Sequence, residues 1–141
     1  MRDEIFFDTS ILVYAFTRDE KRKHEICKRI VKRVFEGKLK GVISNQVLAE
    51  LFFVLVKKKG IDEEKAETIV DAFILSDNWR KVNYSHKTVE RAKKLSIDLN
   101  IPFWDSLIIA TLLENGIRRI YTENERDFRK VREIKVMNPL K

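Results

Sequence analysis

One cysteine, Cys27, leaves the chain no intrachain disulfide and argues against a thiol-ligated zinc site. Two histidines, His24 and His86, have no second histidine or cysteine at ligand spacing. Both read as ordinary helix residues, His24 exposed and His86 in a first turn, and neither reads as a ligand. Four glycines, at 37, 41, 60 and 116, stand apart and form no phosphate loop, which counts against an NTPase or a dinucleotide enzyme. No apolar run approaches the roughly 18 residues of a membrane span. The opening Met1-Arg2-Asp3-Glu4 lacks the apolar core of a signal peptide. Gln46 is the sole glutamine among plentiful Lys, Arg, Glu and Ile, a composition that leans towards heat adaptation. These absences suit a reducing cytoplasm and a protein without a membrane segment.

What is present points elsewhere. The 141 residues, 44% of them hydrophobic, read as one domain, 1–141, able to bury a sizeable core. There are 29 basic and 22 acidic side chains, a net charge of +7, which suits a phosphate-rich partner, RNA first. Solubility alone is the bland alternative. In a chain that is 36% charged, three strongly apolar stretches each carry one lone acid. They are Ile5 to Phe16 with Asp8, Val47 to Val56 with Glu50, and Ile101 to Ala110 with Asp105. A carboxylate held against a core is costly unless something pairs with it.

Periodicity places the acids. Ile5-Phe6-Phe7 reads as a buried strand, followed by a helix through Phe16 that Asp8, Thr9 or Ser10 caps. Asp19 and Glu20 open a helix to about Phe35 with a stripe of Ile26, Ile30 and Val34. Val42 to Ser44 is a second strand, and Asn45 caps the helix that carries Glu50. Asp62 caps the next helix, with Ala66, Ile69, Val70, Phe73 and Ile74 in register. A strand from Trp79 to Tyr84 and a helix capped by Ser85 follow. Pro102 starts the Asp105 helix, Arg119 to Thr122 is a strand, Glu123 to Lys130 a charged loop, and Ile134 to Val136 a last strand. Strands separated by helices indicate an α/β sandwich around a parallel sheet. Ligands of such a sheet gather beyond the carboxyl ends of its strands, where Asp8, Glu123 and Asp127 all fall.

Clustered carboxylates repel until a cation offsets them. Oxygen ligands without histidine or cysteine select magnesium or manganese, and one or two such ions activate water for phosphodiester hydrolysis. The bland readings are helix capping for Asp8 and Asp105, a glutamate beside a dimer seam for Glu50, and a surface charge for Asp127. Phe52, Phe53 and Trp104 read as core or interface rather than as base-stacking platforms.

Four short motifs stand in order: Phe7-Asp8-Thr9-Ser10, Ser44-Asn45-Gln46-Val47-Leu48-Ala49-Glu50, Phe103-Trp104-Asp105-Ser106-Leu107-Ile108, and Tyr121-Thr122-Glu123-Asn124-Glu125-Arg126-Asp127-Phe128. In this arrangement the chain resembles the PIN-domain ribonucleases, most of all the VapC toxins of VapBC toxin–antitoxin pairs, over essentially its whole length. The resemblance implies a PIN-like three-layer sandwich with a central parallel sheet of about five strands. It implies a Mg2+- or Mn2+-dependent endoribonuclease with Asp8, Glu50, Asp105 and Asp127 as metal-site and catalytic acids. Thr9, Ser10 and Glu123 are accessory, and Glu123 competes with Asp127 as the fourth acid. It also implies an antitoxin partner, VapB-like. The Glu50 helix is apolar around most of its circumference, from Val47 to Val56, more than one core-facing stripe needs. The excess suggests a homodimer seam or an antitoxin groove, unless the helix after Asp62 covers it. An RNA-processing PIN nuclease outside a toxin pair and a non-catalytic basic RNA-binding module are the other readings of the same chain.

Overall fold

The computed structural model describes residues 3–141; Met1 and Arg2, which head the segment read as lacking a signal peptide, lie outside the described residues. The chain runs β1 (Ile5–Phe7), α1 (Thr9–Phe16), α2 (Lys21–Phe35), β2 (Gly41–Ser44), α3 (Asn45–Lys57), α4 (Glu63–Leu75), β3 (Trp79–Val82), α5 (His86–Leu99), α6 (Phe103–Glu114), β4 (Arg119–Tyr121), α7 (Glu125–Phe128) and β5 (Lys135–Met137). The strands form one sheet in the order β3-β2-β1-β4-β5, with every pair parallel. Every residue of β1 and β2 is buried, so helices cover both faces of the sheet, as the all-apolar sequence of these strands requires. On the helical side α1 packs on α2 and α3, α3 on α4, and α5 on α6. Among the described residues no single helix is long and apolar enough to cross a membrane.

β1 is the central strand. The chain builds outward from it through β2 and β3, then returns to its other side for β4 and β5. The order therefore reverses between β1 and β4, and the crevice at a parallel sheet's carboxyl edge opens at such a reversal. Asp8 leaves β1 there and Thr122 leaves β4, and the backbone N–H of Asp8 donates to the Tyr121 carbonyl at 3.0 Å.

Glycine is required at one place that sets this geometry. A Cβ on Gly41 would stand 2.7 Å from Val34 and 2.8 Å from Trp79, so only glycine lets α2 and β3 close on β2. Trp79 in turn stacks edge-on with Phe7 and Phe73, tying the central strand to α4.

Several local expectations are corrected. Ser44, not Asn45, caps α3 by accepting the Val47 N–H at 3.2 Å; Asn45 instead accepts the N–H of Tyr84, also at 3.2 Å. The supposed loop from Glu123 contains the short helix α7, because Asn124 caps it by accepting the Asp127 N–H. β3 ends at Val82, short of Tyr84, and β5 is displaced one residue, to 135–137. The buried stripe of α2 is His24, Cys27, Val31 and Val34, with Ile26 and Ile30 at its margin. His24 is therefore buried rather than exposed. Its Nδ1 lies 2.9 Å from the Tyr14 carbonyl, which only accepts, so Nδ1 carries the proton and the polar edge is satisfied.

Candidate functional site

Asp8 ends β1 and caps α1. Its Oδ1 accepts the Thr9 N–H at 2.8 Å, and its Oδ2 accepts the Thr122 hydroxyl at 2.6 Å. Among the described residues the carboxylate thus has two neutral donors and no basic side chain against it. Burial pushes its pKa up to about 6; the Thr122 bond opposes this, and the charges of Asp105 and Glu50 add to it.

Asp105 stands in the first turn of α6, whose interior residues are buried almost all round, so the helix cannot turn away from the cleft. Burial raises its pKa, the negative charge of Asp127 raises it further, and a 2.8 Å bond from Asn124 Nδ2 opposes the shift. The same Nδ2 donates to Asp127 at 3.0 Å, so one amide spans both carboxylates.

Asp127 differs from the other acids. It is buried, and Lys130 Nζ lies 3.2 Å from its Oδ1. The Asn124 bond, with Lys130 behind it, holds this carboxyl below the usual range. Glu50 projects from α3 and is also held: Oε1 accepts the Thr9 hydroxyl at 2.6 Å, and Oε2 accepts Gln46 Nε2 at 3.2 Å.

The fold thus gathers Asp8, Glu50, Asp105 and Asp127 at one edge, from four separate segments. Glu123 is placed otherwise: Tyr14 OH donates to its Oε1 at 2.8 Å and Lys23 Nζ to its Oε2 at 3.0 Å. Glu123 thus forms an ion pair with Lys23 of α2, as Asp127 does with Lys130. Thr9 and Ser10 line a cleft of about 910 Å³ beside the acids, along with Gln46, Glu50, Phe53, Tyr84 and Trp104.

Sequence reasoning missed four contributors: Thr122, Asn124, Lys130 and Gln46. Gln46 carried a signal, since it precedes Glu50 by four residues on one helix face. Asn124 and Lys130 sit three residues either side of Asp127, a spacing that α7 makes meaningful only once it is known to be a helix.

The donor set fits a hard divalent cation. It consists of oxygens from carboxylates and hydroxyls, and its negative charge is offset only at Asp127. Among the described residues, buried Gln46 Oε1, beside Glu50, has no hydrogen-bond partner, an acceptor that a positive or donating group would satisfy. Among the described residues no three acidic, histidine or cysteine side chains converge tightly enough to grip one ion as they stand. Thr9 bridges Asp8 and Glu50, and Asn124 bridges Asp105 and Asp127, so neutral donors link these pairs.

Comparison with known proteins agrees with the architecture. A family model described as the PIN domain matches residues 5–134. No curated protein matches by sequence. Among solved structures, VapC20 of Mycobacterium tuberculosis, described as a Sarcin-Ricin loop cleaving toxin, is 23% identical, with a TM-score of 0.71, over 89% of this chain and 93% of that one. VapBC2 from Rickettsia felis, bound to a DNA fragment from its promoter, gives 20% identity and a TM-score of 0.68 over 96% of this chain and 98% of that one. A toxin–antitoxin complex from Klebsiella pneumoniae gives 22% and 0.66, over 96% and 97%. At these identities the likeness is one of fold.

Proposed function

The chain belongs to the PIN domain family, and on that premise we propose that it is a Mg2+- or Mn2+-dependent endoribonuclease, the toxin component of a toxin–antitoxin pair, working in the cytoplasm as the single domain 1–141. The observation that carries this reading is the group of four acids at the sheet's reversal, where burial pushes the pKa of Asp8 up to about 6 and the charges of Asp105 and Glu50 add to the rise. Asp8, Glu50, Asp105 and Asp127 would hold the ion. When bound, a divalent cation supplies positive charge to the scissile phosphodiester and makes water a competent nucleophile near neutral pH.

The protein's own part is arrangement. Thr122 and the Thr9 N–H fix both oxygens of Asp8. The Thr9 hydroxyl and Gln46 fix both oxygens of Glu50. Asn124 holds Asp105 and Asp127 at a common distance, and Lys130 keeps Asp127 ionised. No side-chain nucleophile is needed: water adds to phosphorus, the P–O bond to the leaving ribose oxygen breaks, and that oxygen takes a proton. The +7 net charge favours the polyanionic substrate.

The partner reading rests on α3. Phe52 and Phe53 are 37% and 54% exposed, so α4 does not cover the apolar excess of this helix. An exposed aromatic pair fits a homodimer seam or an antitoxin helix, and several structural neighbours are described as toxin–antitoxin complexes. The test is to coexpress the chain with the product of its adjacent small gene and measure mass by light scattering. A dimer that binds that product supports the toxin reading. A monomer that cleaves RNA and ignores the product leaves a nuclease outside a toxin pair.

A further inference from the structure

Of the two readings of Trp104, core and interface, its placement rules out the core. Its indole is 61% exposed, in a chain whose only other tryptophan, Trp79, is 1% exposed. Trp104 precedes Asp105 in the first turn of α6 and lines the same cleft as Glu50 and Thr9. Its backbone is fixed to the acids: Gln46 Nε2 donates to the Trp104 carbonyl at 3.0 Å and to Glu50 Oε2 at 3.2 Å. The preceding residue, Asn45, accepts the N–H of Tyr84, which lines the cleft as well. Two consecutive side chains at the start of α3 therefore fix the backbones of two aromatic residues that line the cleft with Glu50.

We propose that Trp104 is a base-stacking platform that seats an unpaired nucleotide next to the phosphate held at the acids, with Tyr84 as a second wall. This rests on the ribonuclease reading and deepens it. An exposed indole offers its π-face at low entropic cost, and every base presents a matching face, so the contact is strong and tolerant of sequence. Bases inside a duplex are already stacked on their neighbours and offer no free face. The platform thus favours single-stranded segments. A docking protein is the competing occupant. The tie through Gln46 favours RNA, because it fixes the backbone that carries the indole beside Glu50, at the acids where a phosphate would sit. Phe53, further along α3, is better placed for a partner.

The two tryptophans make the test direct, since only Trp104 is open to quenchers. In the native protein with magnesium, rapid mixing with a short single-stranded RNA should quench Trp104 emission before cleavage proceeds and shield it from acrylamide. The same sequence annealed as a duplex should do neither. In the otherwise native protein, Trp104→Ala should raise KM for single-stranded RNA by roughly 5- to 100-fold with kcat nearly unchanged, and Trp104→Phe should restore most of the loss. Unchanged KM and no quenching, with RNA still cleaved, would overturn the platform and leave the ribonuclease reading standing. Protection of Trp104 by the adjacent-gene product but not by RNA would assign the indole to a protein partner and also overturn it. A protein that neither binds nor cleaves RNA would sink both readings together.

Discussion

Asp8 and Asp127 belong to one group of acids at the sheet's edge, yet their environments drive them in opposite directions. Asp8 has a hydroxyl and a backbone N–H but no positive charge, and burial carries its pKa up to about 6. Asp127 is no less enclosed, but Asn124 and Lys130 hold it below the usual range. The difference teaches where the site needs a cation. The Asp127 end already contains its counter-charge, and the Asp8 end, with Asp105 beside it, does not. A cation should therefore be captured chiefly by Asp8, Asp105 and Glu50, with Asp127 as a lesser contributor.

The comparison is broken most severely by removing charge at the uncompensated end. Asp8→Asn or Asp105→Asn should lower RNA cleavage by at least about 100-fold while circular dichroism shows an intact fold, because asparagine keeps the shape and capping ability and loses the charge that holds the ion. Asp127→Asn should cost less, about tenfold, or roughly 1.4 kcal/mol. Equal losses at the two ends would erase the asymmetry.

Stability without divalent cation should invert this order. Asp8→Asn removes a poorly tolerated charge and should raise stability by about 1–2 kcal/mol, a shift of several degrees in Tm. Asp127→Asn leaves Lys130 without its partner and should lower it. Thermal melts in chelator decide between these outcomes, and magnesium should abolish the advantage of Asp8→Asn.

The pH dependence sharpens the same contrast. The folded pKa of Asp8 is raised, so the native state binds more protons than the unfolded chain between about pH 4 and 6, and the Asp8 contribution to stability falls as pH rises through that window. That slope should vanish in Asp8→Asn. Asp127 works with the opposite sign: its lowered pKa adds stability above the ordinary carboxylate value, lost as pH falls through the folded one. Denaturant midpoints in chelator, carried from pH 7 to well below pH 4, separate the two, since the Asp127 window lies beneath the ordinary carboxylate value and the Asp8 window above it.

The smallest effect belongs to Glu123. Because Tyr14 and Lys23 already occupy its two oxygens, Glu123→Gln should leave magnesium affinity by calorimetry within about threefold. A large loss would return Glu123 to the cation site.

Asp8, Glu50 and Asp105 were legible because each is the one charge in an apolar run, a contrast visible in one dimension. Asp127 was not, since its neighbours in sequence are charged and its burial comes from α6 and the turn at Asn100, which Lys130 reaches across to contact at 2.8 Å. The parallel sheet followed from buried strands alternating with helices, and the central place of β1 from its wholly apolar sequence. His24 was misjudged because periodicity left the helix face ambiguous by one residue either way. The exposure of Trp104 was only half legible, since a tryptophan beside Phe103 in an apolar run suits core as well as interface, and only the turn of α6 sends it outward. Ser44 and Asn45 were exchanged as caps because both residue types suit the position, and packing against Tyr84 made the choice.

Direct titration of the cation tests the account most closely. Magnesium, or manganese, added to the chelator-treated protein should release protons near pH 6, as Asp8 ionises on binding, and should switch on RNA cleavage over the same concentration range. Asp8→Asn should lose both signals and Asp127→Asn should retain the proton release. RNA cleavage unchanged by chelator, or proton release that survives in Asp8→Asn, would contradict it.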